Sequence, residues 1–217
     1  MADGCLGKQE SGRRERKKRQ TRQAISDLAT TLFLERGFDA VTVAEVARAA
    51  DVAVQTVFNH FPTKEDLFFD EQGWWRGPAR AIQDAPTDAD PVDVLEASYL
   101  AGIRERLDVG HLATWKQFIR TIEDSPVLQA RRRLNAAELE TLLTAALDER
   151  HPEHLRNRLI AAQCGAALKV LAGELLHLLP DKASAADLEQ GQVELEKAVA
   201  YVFGVLRTGL GLPATTA

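Results

Sequence analysis

The sequence predicts an all-α fold, and three observations carry that expectation. Apolar residues recur at three- and four-residue spacing along most of the chain, the period of a helix with one buried face. No stretch has the strict alternation of a half-buried strand. Helix starts are signalled again and again by capping residues, at Thr42, Thr63, Asp90, Ser125 and Ser184, with proline directly after Asp90 and Ser125. A chain of 217 residues with 45% apolar content is long enough for one sizeable domain or two small ones.

Residues 1–20 are polar and charge-rich, and are expected to form a disordered basic arm. The first helix then runs from about Thr21 to Arg36, with Ile25, Leu28, Ala29, Leu32 and Phe33 on its apolar face and Gly37 as its stop. Thr42 and Glu45 form a capping box, and Val43, Val46, Ala47 and Ala50 repeat behind it at helical spacing. Asp51 and Val52 break that helix. A second short one, from Ala53 to Asn59, ends before Phe61-Pro62, because the residue ahead of a proline is pushed out of the α region. Thr63 with Asp66 caps a third helix. Two short helices joined by a tight turn make a helix-turn-helix pattern, with Val46, Val57 and Phe61 closing a core against the first helix.

Such a motif places the N-terminal residues of its second helix in the major groove. Val54, Gln55, Thr56, Asn59 and His60 are therefore the candidate base readers. Gln55 and Asn59 each offer a paired donor and acceptor to adenine, and Val54 an apolar contact to a thymine methyl. The run at 13–22, RRERKKRQTR, carries seven positive charges against Glu15. It reads either as a solvated charge run or as an arm that neutralises phosphates or reaches the minor groove, with Arg19 and Arg22 as phosphate contacts. Charge is split along the chain: residues 1–64 hold 11 Lys/Arg against 8 Asp/Glu, and the remainder 16 against 24, within a net charge of −5. Only the N-terminal part has the balance expected of a surface that meets phosphates.

The stretch from TVAEVARAADV at Thr42 through VFNHFPTKEDLF resembles the DNA-binding domain of tetracycline-repressor-type (TetR family) regulators, most specifically over Phe58–Glu65. The likeness covers about a quarter of the chain. It implies that Thr42, Phe58 and Lys64 hold the phosphate backbone, that a larger helical domain encloses a small inducer, and that the last two helices pair with their copies in a homodimer. Three departures stand out. Ala53 occupies the place of a capping serine, Phe58 that of a tyrosine, and Asp51 that of a turn glycine.

The domains expected are a helix-turn-helix domain over 21–67 and a helical ligand-binding and dimerisation domain over 68–217. The third helix is expected to continue through Leu67, Phe68 and Trp75, with Gly73 and Gly77-Pro78 marking a bend in the link. Residues 84–91 read as a loop, followed by helices at about 91–107, 111–123, 126–150, 153–178 and 184–209. Trp75, Tyr99, His111, Trp115, Phe118 and Ile122 are either packed core or the lining of the inducer cavity that the resemblance implies. On the last helix Leu195, Val199, Val202 and Leu206 follow a bundle seam, with Ala198, Tyr201 and Val205 beside it. The helix before it carries Leu168, Leu171, Leu175 and Leu178. One face of this pair is expected to serve the subunit core and another the partner, and the resemblance assigns Leu168, Leu175, Leu195, Val199, Val202 and Leu206 to the dimer.

His151 and His154 flank a polar turn at a helix start, and Cys164 packs as a small apolar residue. No phosphate loop, nucleophile elbow, catalytic pair or metal-ligand set stands out, and no cofactor is implied. With no apolar signal segment and no long apolar run, a cytoplasmic protein without membrane contact is expected. The leading expectation is a homodimeric repressor released from a near-palindromic operator on double-stranded DNA by a small-molecule effector. The runner-up is a helical enzyme or ligand carrier whose helix-turn-helix is vestigial.

Overall fold

The computed structural model describes residues 4–70, 76–106, 109–178 and 184–209. Within them the chain forms ten helices and no strand: α1 (Gly4–Arg36), α2 (Val43–Ala49), α3 (Val54–His60), α4 (Lys64–Phe69), α5 (Gly77–Asp84), α6 (Pro91–Arg106), α7 (Val109–Asp124), α8 (Pro126–Asp148), α9 (His154–Leu178) and α10 (Ala185–Gly209). None of the described helices is long and apolar enough to cross a membrane. Two compact units are formed, one from residues 1–73 with 121–128 and the other from residues 74–120 with 129–217.

In the first unit α1 packs against α2, α3 and α4. Ile25, Ala29 and Phe33 on α1 are fully buried, and Val46, Val57, Phe61 and Leu67 are buried on the elements it packs against. The rings of Phe33, Phe38 and Phe68 lie with centroids 5.2–5.8 Å apart, within the favoured range for aromatic pairs. Leu28, expected on this face, is 36% exposed. It sits one residue, about 100° around the helix, from Ala29, and buried Ser26 completes the face instead.

The expected disordered arm is helical from Gly4 onward and continuous with α1. Arginine, lysine, glutamine and glutamate dominate this stretch, and their straight side chains lose little freedom in a helix. With no proline to stop it, the packed part of α1 propagates upstream. At its other end Gly37 takes a φ of 86°, and its N–H donates to the Phe33 carbonyl at 2.9 Å, the αL stop read from the sequence.

In the second unit α10 packs on α9 and α6, and α5 on α6. Its core contains Ile82, Leu95, Leu143, Leu147, Ala161, Leu171, Leu195, Val199 and Phe203. Arg207 of α10 donates to Asp93 Oδ1 and Glu96 Oε2 of α6 at 2.5 Å each. Helix α5 is not among the expected helices: Gly77-Pro78 forms its first turn. Proline is tolerated there because first-turn N–H groups have no intrahelical partner to lose. The helices from α6 onward start and stop within about two residues of their expected ends.

Candidate nucleic-acid interface

The site is built from two turns that the local sequence dictates. At the first, Thr42 Oγ1 accepts from the Glu45 N–H at 3.2 Å while Glu45 Oε2 accepts from the Thr42 N–H at 2.8 Å, a complete capping box. Arg36 donates to the other carboxylate oxygen at 2.7 Å. That guanidinium first, and the Thr42 N–H and hydroxyl after it, hold the Glu45 carboxyl down to about 2. At the second turn Asp51 takes a φ of 51°. The Val52 N–H reaches back to Ala47 at 3.0 Å and the Asp51 N–H to Arg48 at 3.2 Å, the paired bonds of a Schellman ending. Aspartate substitutes for the usual glycine because its short polar side chain tolerates αL better than most.

This turn leads straight into α3. Ala53 at its N-cap makes no side-chain bond, and buried Val57 anchors the helix to the core. Val54 is 40% and Phe58 42% exposed, and Gln55 and Asn59 are exposed beside them. At 100° per residue these four share an arc of about 140° facing away from Val57. Gln55 Nε2 donates to Asn59 Oδ1 at 3.1 Å, so the two amides form one polar unit. Thr56 and His60 flank the arc and are half-buried. Burial, then the nearby Arg22 and Lys18 charges, hold the His60 imidazole below its usual range against an opposing pull from Asp70.

The expected phosphate contacts divide. Arg19 is exposed on α1, and Thr42 and Phe58 are exposed beside α2 and on α3. Lys64 is turned inward: its Nζ donates to the Phe38 carbonyl at 2.6 Å and lies 4.1 Å from the Phe38 ring centroid. Burial lowers its pKa, with Asp39, Glu65 and Glu45 working against that shift. Arg22 is also committed within the unit, to the His60 carbonyl, to Asp70 and to the face of Phe61. Its partners stand 38 and 48 residues away, so no local pattern in the sequence points to them.

The candidate pocket residues are not assembled in one unit. Tyr99 and Trp115 pack half-buried on the second unit's core, and Phe118 of the same unit is buried. Ile122 is fully buried and belongs to the first unit. Trp75 and the His111 side chain lie outside the described residues. An open cleft of about 550 Å³ occurs elsewhere, lined by Glu153, His154, Leu155, Arg156, Leu159 and Gly209. His151 lies in the turn before α9, and His154 is the first residue of that helix. There His154 Nδ1 lies 2.6 Å from Asp148, and Asn157 donates to Asp148 and to the His151 carbonyl.

Of the residues expected at the dimer, Leu195 and Val199 need correction. Leu195 and Val199 are fully buried within the subunit, and Leu168, Val202 and Leu206 pack half-buried against the same core. The Leu175 side chain lies outside the described residues. A seam at three- and four-residue spacing is the pattern of any buried helix face, and here α6 and α9 already occupy it. Apolar side chains left uncovered include Val193, Tyr201 and Val205 on α10 and Leu155, Leu159, Val170 and Leu178 on α9.

A short capped helix, a Schellman turn and an exposed two-turn helix anchored by one buried valine define a helix-turn-helix DNA-binding domain. Residues 25–70 match the family model for bacterial regulatory proteins of the tetR family. The chain is 28% identical over 205 residues to the transcriptional regulator TcmR of Streptomyces glaucescens, covering 87% of this chain and 85% of that protein. It is 39% identical over 66 residues to the repressor KstR2 of Rhodococcus jostii, covering 30% of this chain and 28% of that one. Among solved structures it resembles the SmeT–triclosan complex, with a TM-score of 0.54 at 17% identity over 91% of this chain and 97% of that one. NalD of Pseudomonas aeruginosa follows at 0.51 and 21% identity, over 84% and 97%. Residues 25–70 thus carry a DNA-binding domain of the tetR family type, and the chain as a whole resembles transcriptional regulators built on it.

Proposed function

We propose that the protein is a homodimeric repressor that binds a near-palindromic operator and leaves it when a small molecule binds the second unit. The exposed arc of α3 carries the reading. Val54, Gln55 and Asn59 are presented on one face above a turn whose backbone bonds are all made locally. A two-turn helix set this way enters a major groove, and a two-fold dimer would set its pair in successive grooves. Gln55 and Asn59 supply the donors and acceptors of base recognition, while Thr42, Phe58 and Arg19 lie against the backbone. The uncovered apolar stripe of α9 and α10 supports the dimer, because an exposed patch of this kind marks an interface. The effector half rests on the family resemblance, with Tyr99, Trp115 and Phe118 in the second unit as its apolar contacts. Operator release would follow if the effector favours a state in which the two recognition helices no longer match the groove spacing. Selection of bound sites from random duplex DNA tests the reading. An inverted repeat with half-sites one helical turn apart is expected, and recovery of no enriched site, or of a lone half-site, would overturn it.

A further inference from the structure

We infer that Arg22 is a positioning residue for the recognition helix, acting with Asp70, and not a phosphate contact. This rests on the reading that α3 recognises bases. Helix α3 is seven residues long, too short to hold its own direction. Its N-cap, Ala53, contributes no side-chain bond. At the other end, the last carbonyls of any helix lack intrahelical donors. Arg22 supplies one: its guanidinium donates to the carbonyl of His60, the final residue of α3. The same group lies 4.2 Å from the centroid of Phe61, the C-cap, and donates to Asp70 Oδ1 just beyond α4.

The planar fork of arginine suits this task, since its donors diverge in one plane while its face covers a ring. A lysine ammonium can make one of these contacts well but cannot make all three together. Asp70 shows why the pair is not readily surrendered to DNA. Its side chain is only 14% exposed, so releasing Arg22 to a phosphate would leave a largely buried carboxylate without its cation. Arg22 itself departs from α1 one turn before fully buried Ile25. The clamp therefore ties the tip of α3 to the best-anchored helix of the unit.

The two roles predict opposite behaviour. A phosphate contact is lost uniformly over all DNA sequences, with the salt slope falling by about 0.9 per phosphate. A positioning residue leaves that slope alone and erodes the preference for the operator. Asp70→Asn is the sharpest arm, because it removes a negative charge and frees Arg22. A phosphate-binding Arg22 would then hold random duplex as tightly as before or more so. The experiment measures affinity for the selected operator and for random duplex across a salt series, with the wild type, Arg22→Lys, Arg22→Gln and Asp70→Asn. The expected result is a loss of about tenfold in the operator-to-random ratio for all three, the scale of one good base contact. The salt slope on random DNA should stay unchanged. Circular dichroism checks each variant for folding, and the charge-retaining Arg22→Lys decides alone if Asp70→Asn does not fold. Wild-type preference retained in Arg22→Lys, or a slope reduced in Arg22→Gln with both DNAs weakened equally, overturns the inference. A wild type with no preference between the two DNAs overturns the functional reading, and this inference with it.

Discussion

Glu45 is the residue where local chemistry is most visible. Its carboxylate closes the cap of α2 and receives Arg36, which together hold it at about 2 against an ordinary 4.5. A carboxyl lowered on folding stabilises the native state above its unfolded pKa, and that contribution is lost as pH falls through the folded value. Stability should therefore fall between pH 4.5 and about 2, in part through this group. Thermal melts over that range should show a shallower acid loss in Glu45→Gln than in the wild type. Parallel curves would mean that the cap contributes nothing. Thr42 and Glu45 stand three residues apart, so this pairing was legible before any coordinates. The inward turn of Lys64 was not: the carbonyl that receives it belongs to Phe38, 26 residues earlier.

Among the elements, α3 is supported unequally at its two ends. Its carboxyl end has Arg22, while Ala53 leaves the amino end without a side-chain acceptor. Ala53→Ser supplies that acceptor, and a good cap in place of a poor one is worth about 1 kcal/mol. The melting temperature of Ala53→Ser should rise accordingly; an unchanged value would mean that the helix does not gain from a cap there. Helix boundaries were legible because caps, prolines and Gly37 act within a turn of where they stand. The helical course of the basic segment is not legible from its charge density, which is shared by disordered tails, although arginine, lysine and glutamate are good helix formers. On α10 the seam was recognised, but its direction was not. Spacing alone cannot distinguish a face buried by its own subunit from one buried by a partner, and burial of Leu195 and Val199 decides it.

At the scale of the whole molecule, basic charge is concentrated in residues 1–64, and exposed apolar side chains occur on α9 and α10 as well as on α3. The stretch containing the helix-turn-helix carries the basic excess, and the remainder is acidic. Tyr201 is 74% and Val205 54% exposed on α10, so a charge placed there meets water in a single subunit. In a dimer built on this stripe the same charge would be buried, at a cost of several kcal/mol. Tyr201→Asp and Val205→Asp should therefore sediment as monomers while keeping wild-type helix content. Undiminished dimers would remove this stripe as the interface. Val202 is unsuitable for the purpose because it packs against the subunit core, where a charge would disturb folding itself.

The exposed apolar arc on α3 has a consequence in nucleotide chemistry. Val54, 40% exposed, presents carbon to whatever lies in the groove. The C5-methyl of thymine is the carbon-rich feature of a major-groove edge. An operator synthesised with deoxyuridine in place of thymidine keeps every hydrogen bond and loses only those methyls. If Val54 packs on them, single uracil substitutions should weaken binding at a few defined positions, and Val54→Ala should abolish that sensitivity. Where such positions carry cytosine instead, 5-methylation would restore the missing carbon, so the same helix would bind methylated and unmethylated duplex unequally.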